Sequence, residues 1–335
     1  MGGKRHDRGP YARSASAYWP GGQPSRSNGQ RHPDAHRRAG HGAAGPAAAR
    51  LPESWYSWRH QFQPLADAGF HVVAPDQRGY AGTDRPDSVG EYTLLHLVGD
   101  VIGLIHALGE REAVVIGHDW GAPVAWNTAL LRPDIIRGVA GLSVPPTRRA
   151  PAKPLGLLEQ RFGKGFYQIY FQEPGVADAE LGADLKDTFR RFLVAASGDG
   201  AGAAPVVPDG AKGFLDTMPY PETLPSWLTE ADIDAFAEQY RRNGFTGGLN
   251  WYRNIDRNWE LTAAWADAQI TPPAYYITGT RDIVRTFGAP GFIEKLPELV
   301  PNLRGVLDLD GCGHWTQQER PDEVNAALVE FLKGL

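Results

Sequence analysis

From Leu51 onward, apolar residues recur with two periods that take turns along the chain. Pro52 to Ala68 reads as an amphipathic helix, with a proline near its start and Gly69 at its end. Phe70-His71-Val72-Val73-Ala74 is a short apolar run, the mark of a buried strand. Tyr92 to Leu108 places Leu94, Leu97, Val98, Val101, Ile102, Ile105 and Leu108 at helical spacing. Ala113 to Gly117 and Ile135 to Val144 predict two more strands, with a helix from Ala122 to Leu131 between them. A helical, aromatic stretch follows, from about Arg148 to Gly248, broken by a Gly/Ala/Pro-rich loop from Ser197 to Gly213. Strand periodicity returns at Pro273 to Thr278 and at Arg304 to Leu309, and an amphipathic helix from Asp322 to Leu332 closes the chain. Strands alternating with helices predict an α/β fold, with a mostly parallel sheet covered on both faces. The helical stretch is expected to be a cap inserted into it.

The first fifty residues stand apart. They contain no Val, Ile, Leu or Phe, and nine of them are glycine. Lys4 and eight arginines face only Asp7 and Asp34, so the segment carries +7. The whole chain carries −5, which leaves −12 on the remainder. Such a segment cannot bury enough apolar surface to offset its chain entropy, and residues 1–50 are expected to be disordered. They offer no apolar core for a signal peptide, and no run in the chain has transmembrane length. A cytoplasmic protein with no membrane partner is expected. The single cysteine, Cys312, excludes an internal disulfide framework. The histidines lack metal-ligand spacing, so no metal is expected, and nothing in the body of the chain implies a nucleic-acid partner.

The chemistry concentrates in Gly117-His118-Asp119-Trp120-Gly121, directly after the apolar run Ala113–Ile116. Strand, tight turn with flanking glycines, then helix is the layout of a nucleophile elbow, here with aspartate in place of serine. A serine needs a base before it attacks, whereas a carboxylate is already ionised at neutral pH. It can attack a saturated carbon and form an alkyl ester on the enzyme. Asp282 follows the strand that ends at Thr278, and His314 lies in Gly311-Cys312-Gly313-His314-Trp315 after the last strand. The order is nucleophile, acid, histidine, and loops at the carboxyl ends of parallel strands converge. His314 would take a proton from the water that cleaves the ester, and Asp282 would orient its imidazole.

The stretch from Leu51 to the C-terminus resembles the soluble epoxide hydrolase family of the α/β-hydrolase fold. The resemblance rests on Pro52-Glu53-Ser54-Trp55, Asp76-Gln77-Arg78-Gly79-Tyr80, His118-Asp119-Trp120-Gly121, Tyr170-Phe171-Gln172-Glu173-Pro174-Gly175, Asn250-Trp251-Tyr252-Arg253-Asn254 and Cys312-Gly313-His314-Trp315. It implies hydrolysis of a small-molecule epoxide to a vicinal diol without a cofactor, with detoxification as the setting. It implies Asp119, Asp282 and His314 as the triad, with Tyr167 and Tyr252 as ring-opening tyrosines. Two phenols aimed at the ring oxygen can hydrogen-bond it as negative charge develops there. Trp55, Gln168 and Trp315 would border the substrate. The expected division is a hydrolase core at 51–147 and 249–335 with a cap at 148–248.

One half of the site departs from the family pattern. Family members carry a strand and then His-Gly-Phe-Pro before the first helix, and the aromatic residue's N–H joins the N–H after the nucleophile in an oxyanion hole. Here the second donor would be Trp120, while the first position falls on Leu51 in Ala49-Arg50-Leu51-Pro52. No strand is legible before it, so the early strands are expected to be missing. One coding of His-Gly-Phe-Pro, CAC GGC TTC CCG, regroups after loss of one C as CA CGG CTT CCG and, with one upstream G, reads Ala-Arg-Leu-Pro. Residues 1–50 therefore read as an out-of-frame segment, with a genuine basic extension as the competing account. Two alternatives to epoxide hydrolysis stay open. A haloalkane or haloacetate dehalogenase shares the aspartate nucleophile, although Ala122-Pro123 lacks an arginine for a haloacetate carboxylate. An inactive or ligand-binding product would follow from lost strands.

Overall fold

A computed structural model describes residues 54–200, 205–288 and 291–335, and the backbone of 43–48. Among the described residues, six parallel strands form one sheet in the order β2-β1-β3-β4-β5-β6. They are β1 (Ala43–Ala48), β2 (His71–Val72), β3 (Ala113–His118), β4 (Ile136–Leu142), β5 (Ala274–Gly279) and β6 (Leu303–Leu309). Helices α1 (Phe62–Asp67), α2 (Leu94–Ala107) and α3 (Gly121–Leu131) fall among the first four strands. Among the described residues, seven α-helices separate β4 from β5: α4 (Pro154–Phe162), α5 (Tyr167–Tyr170), α6 (Val176–Ala183), α7 (Leu185–Ala195), α8 (Glu230–Tyr240), α9 (Thr246–Arg253) and α10 (Ile255–Leu261). Then come α11 (Leu296–Leu299), α12 (Thr316–Glu319) and α13 (Pro321–Lys333).

The sheet is apolar on both faces, and its alternation sorts the helices. Ala113 and Val115 of β3 pack in one core with Leu97 and Val101 of α2 and Val124 of α3. Val114 and Ile116, one residue out of phase, pack in a second core with Leu65 of α1 and Leu328 and Phe331 of α13. The insertion extends the first of these cores with aromatic rings. Phe189 of α7 stacks on Phe236 of α8 at 5.6 Å and meets Tyr240 edge-on at 5.1 Å.

Two expectations are corrected. The strand thought to be missing before the first helix is present as β1. It lies inside the sheet, paired in parallel with β2 and β3. Its pairing with β3 shifts register between Ala44 and Ala47, the interval that holds Gly45 and Pro46. Proline cannot donate to a ladder, and an irregularity is where a sheet tolerates it. Residues 1–50 are therefore not wholly outside the fold, while residues 1–42 lie outside the described residues. The single helix expected over Pro52–Ala68 is instead a short turn at Trp55–Trp58, capped by Ser54, followed by α1. A continuous helix would hold Pro64 in its interior, where it lacks the N–H and clashes with the preceding turn. Starting again at Phe62 puts Pro64 in the first turn, where that N–H is not needed.

Candidate active site

β3 ends in a strained turn. Asp119 adopts φ +48°, uncommon for a residue with a side chain. The strand and helix approach so closely that a Cβ on Gly117 would stand 2.0 Å from the Gly121 carbonyl oxygen. Glycine at 117 is thus a steric requirement, and the turn lifts the Asp119 carboxylate off the sheet's carboxyl edge. Trp120 stands at the N-cap of α3, where backbone N–H groups have no helical partner. The other oxyanion donor expected from sequence, Leu51, lies outside the described residues.

Two further strand ends supply the rest of the constellation. His314, after β6, places Nε2 2.6 Å from Asp119 Oδ2 and Nδ1 3.1 Å from Asp282 Oδ1. All three side chains are buried. Burial alone would push the His314 imidazole down, but the Asp282 and Asp119 carboxylates outweigh it and raise it to about 10. Burial likewise opposes the charge on Asp282. The adjacent His314, with hydrogen bonds from Ser143 and the Val284 N–H, prevails and holds that carboxyl below the usual carboxylate range. Both carboxylates thus favour a proton on the imidazole.

Tyr167 opens α5 and Tyr252 lies in α9, so the inserted helices carry both. Their rings meet at 5.9 Å, and the Tyr252 ring lies 5.3 Å from that of Trp120 beside the nucleophile. Gln168 donates its amide to the Tyr167 hydroxyl at 2.8 Å. A pocket with about 560 Å³ of free space, open mouth included, lies between the inserted helices and the sheet edge. Tyr167, His314 and Trp315 form its reactive side, and Phe171, Phe192, Phe214, Met218, Ile283 and Phe287 form much of its wall. Trp55 lies elsewhere: its ring packs on Tyr56 and Phe62, and its N–H donates to Asp76 at 3.0 Å.

Two contacts to His314 were not foreseen. Ser143, just past β4, has φ +68° and sets Oγ 3.0 Å from His314 Nδ1. His118 Nε2 bonds the His314 carbonyl at 2.7 Å. Ser143 had one legible signal, its place at a strand's carboxyl end. Its backbone geometry is a tertiary matter, fixed by its N–H donating to Ile277 and its carbonyl accepting from the Tyr276 hydroxyl.

The alpha/beta hydrolase fold family matches residues 41–321. Epoxide hydrolase A of Mycobacterium tuberculosis is 48% identical, over 85% of this chain and 88% of that protein. Epoxide hydrolase 1 of Siraitia grosvenorii is 42% identical, over 87% and 92%. Among solved structures, epoxide hydrolase A from Mycobacterium thermoresistibile superimposes with a TM-score of 0.81 at 49% identity, covering 87% of this chain and 92% of that one. An epoxide hydrolase from an endophytic Streptomyces gives 0.82 at 43%, covering 87% and 90%. By fold, by strand-end geometry and by these likenesses, the chain belongs to the epoxide hydrolases of the α/β-hydrolase fold.

Proposed function

We propose that this enzyme converts a small apolar epoxide and water to a vicinal diol through an alkyl ester on Asp119. The observation that carries the mechanism is the buried Asp119–His314–Asp282 chain of contacts at 2.6 and 3.1 Å. An Asp119 oxygen attacks an epoxide carbon, the ring C–O bond breaks, and Tyr167 or Tyr252 protonates the ring oxygen. Esterification abolishes one of the two negative charges that hold the His314 proton. That proton passes through solvent to the tyrosinate, and the imidazole becomes a base. It then deprotonates water, and the hydroxide attacks the ester carbonyl carbon. Trp120 N–H supports the oxyanion, while the second donor expected at Leu51 lies outside the described residues. The acyl C–O bond breaks, the leaving alkoxide takes the proton of the hydroxyl just added to Asp119, the diol leaves, and the carboxylate again faces imidazolium. No cofactor takes part.

Residues 148–248 serve as the cap that brings Tyr167 over the nucleophile, with 51–147 and 249–335 as the core, and Tyr252 stands just past the boundary on the helix that leaves the cap. Trp315 and Gln168 border the substrate, the latter through Tyr167, and Trp55 supports the loop below. The aromatic wall favours a substituent without charge. Converting an alkylating epoxide into an inert diol suits detoxification, and we place that role in the cytoplasm. Among the described residues no helix is long and apolar enough to cross a membrane. Dehalogenation is not favoured: the relatives above are named epoxide hydrolases, and paired phenols suit an oxygen leaving group. An inactive product is not favoured either, since β1 fills its place in the sheet.

The test is one turnover in heavy-oxygen water with enzyme in excess over styrene oxide. The diol should carry no label, and the peptide containing Asp119 should carry it. Label in the first-turnover diol would mean direct attack by water, and the ester would be wrong.

A further inference from the structure

We propose that Glu319 is a positioning residue for the hydrolytic half of the reaction, its carboxylate fastening the inserted segment Leu193–Gly198 to the loop that carries His314. The inference rests on the reading of His314 as the base that activates water.

Glu319, at the end of α12, does not itself line the pocket and meets that lining only through the backbone N–H of Trp315. Its Oε2 accepts from the Gly198 N–H at 2.8 Å and from the Gly313 N–H at 2.9 Å. Its Oε1 accepts from the Trp315 N–H at 3.0 Å. One carboxylate thus holds the residues on both sides of His314, and joins them to the segment leaving α7. Bonds to a charged acceptor are stronger than neutral ones. The same seam is stitched from other directions. The His314 N–H donates to Ala196 at 2.9 Å, and the Trp315 indole donates to Leu193 at 2.7 Å. Arg281 donates to the Gly198 carbonyl at 2.9 Å.

The two backbones touch with no side chain between them. A Cβ on Gly313 would stand 2.2 Å from the Gly198 nitrogen, and one on Gly198 would stand 2.0 Å from the Gly311 oxygen. His314 therefore takes its position from the inserted helices as well as from β6. The Asp119 backbone does not, because β3, α3 and its N–H bond to Leu142 hold the elbow. Loosening the seam should move the base and leave the nucleophile in place.

Glu319→Gln is the sharpest perturbation. All three partners of this carboxylate are N–H donors. Whichever way the amide turns, its NH2 group faces at least one of them. A displacement of the base by ~1 Å costs about 10²-fold in its step. Rapid-quench mass spectrometry with styrene oxide reads alkylation of Asp119 and decay of the ester as separate rates. The expected result for Glu319→Gln is an unchanged alkylation rate, ester decay slowed about 10²-fold, and ester accumulating at steady state. Arg281→Met removes only the outer stitch and should slow the same decay by a smaller factor, which keeps the test intact if Glu319→Gln does not fold. A general loss of structure would lower the reactive fraction in both phases instead. Wild-type ester decay in the folded variants, or equal slowing of both phases, overturns the proposal. If the wild-type protein forms no ester on Asp119, the two-step mechanism itself fails, and the role of Glu319 falls with it.

Discussion

Replacing His314 with glutamine should split the reaction into its two halves. The imidazole sits 2.6 Å from Asp119 and 3.1 Å from Asp282, at 2% exposure. Glutamine fits the space approximately but cannot hold a water proton. Loss of a general base typically slows its step by about 10²–10⁴-fold. Alkylation needs only the carboxylate and an acid at the ring oxygen, so it should survive. Stability decides whether the experiment can be read. Removing the cation leaves two buried carboxylates facing each other, and breaking a buried pair costs about 3–5 kcal/mol. Whole domains have about 5–15 kcal/mol to lose, so the variant should fold with a lowered Tm. Mixed with styrene oxide, the variant should gain the mass of one epoxide on the peptide containing Asp119, with diol formation nearly stopped. A folded variant that turns over normally, or an adduct mapped to another residue, would refute the division of labour.

Tyr167→Phe and Tyr252→Phe should each slow alkylation by about 10²–10³-fold, and the double variant should nearly abolish it. Single-turnover alkylation measures this, and an unimpaired double variant would sink the role of the phenols. Ser143→Ala removes the hydroxyl 3.0 Å from His314 Nδ1. One hydrogen bond is worth about 0.5–1.5 kcal/mol, so ester decay should slow by up to about tenfold, and no change would leave Ser143 a packing residue. The folded His314 imidazole is raised to about 10 from an ordinary 6.5. Its contribution to stability is thus complete below that ordinary value and lost as pH rises through the folded one. The Tm advantage of wild type over His314→Gln should shrink from neutral pH toward pH 10, and a constant gap would contradict the ion pairing. Asp282 is shifted down, so its contribution is present above its ordinary 3.8 and fades on the acid side.

Periodicity was enough to place β3 to β6, α2, α3 and α13, because each buries apolar residues at a spacing its own backbone dictates. The elbow was legible for a similar reason. Glycines flank a polar residue between a strand and a helix, and a Cβ at Gly117 has nowhere to go. The order Asp119, Asp282, His314 could be read because parallel strands present their carboxyl ends together. β1 could not be read. Ala43-Ala44-Gly45-Pro46-Ala47-Ala48 has no β-branched or aromatic residue, and local propensity argues against a strand there. It becomes one because β2 and β3 leave a place with unmet hydrogen bonds on both sides. The same holds for Ser143 and Glu319. Neither stands out in the sequence, since a serine's left-handed backbone and a glutamate's three N–H partners are set by segments far away in the chain. Residue type and spacing determined which chemistry this chain could carry. The packing of the inserted helices on the sheet's carboxyl edge determined where the base and the phenols stand, because only close approach of distant backbone can fix a side chain's position within hydrogen-bond reach.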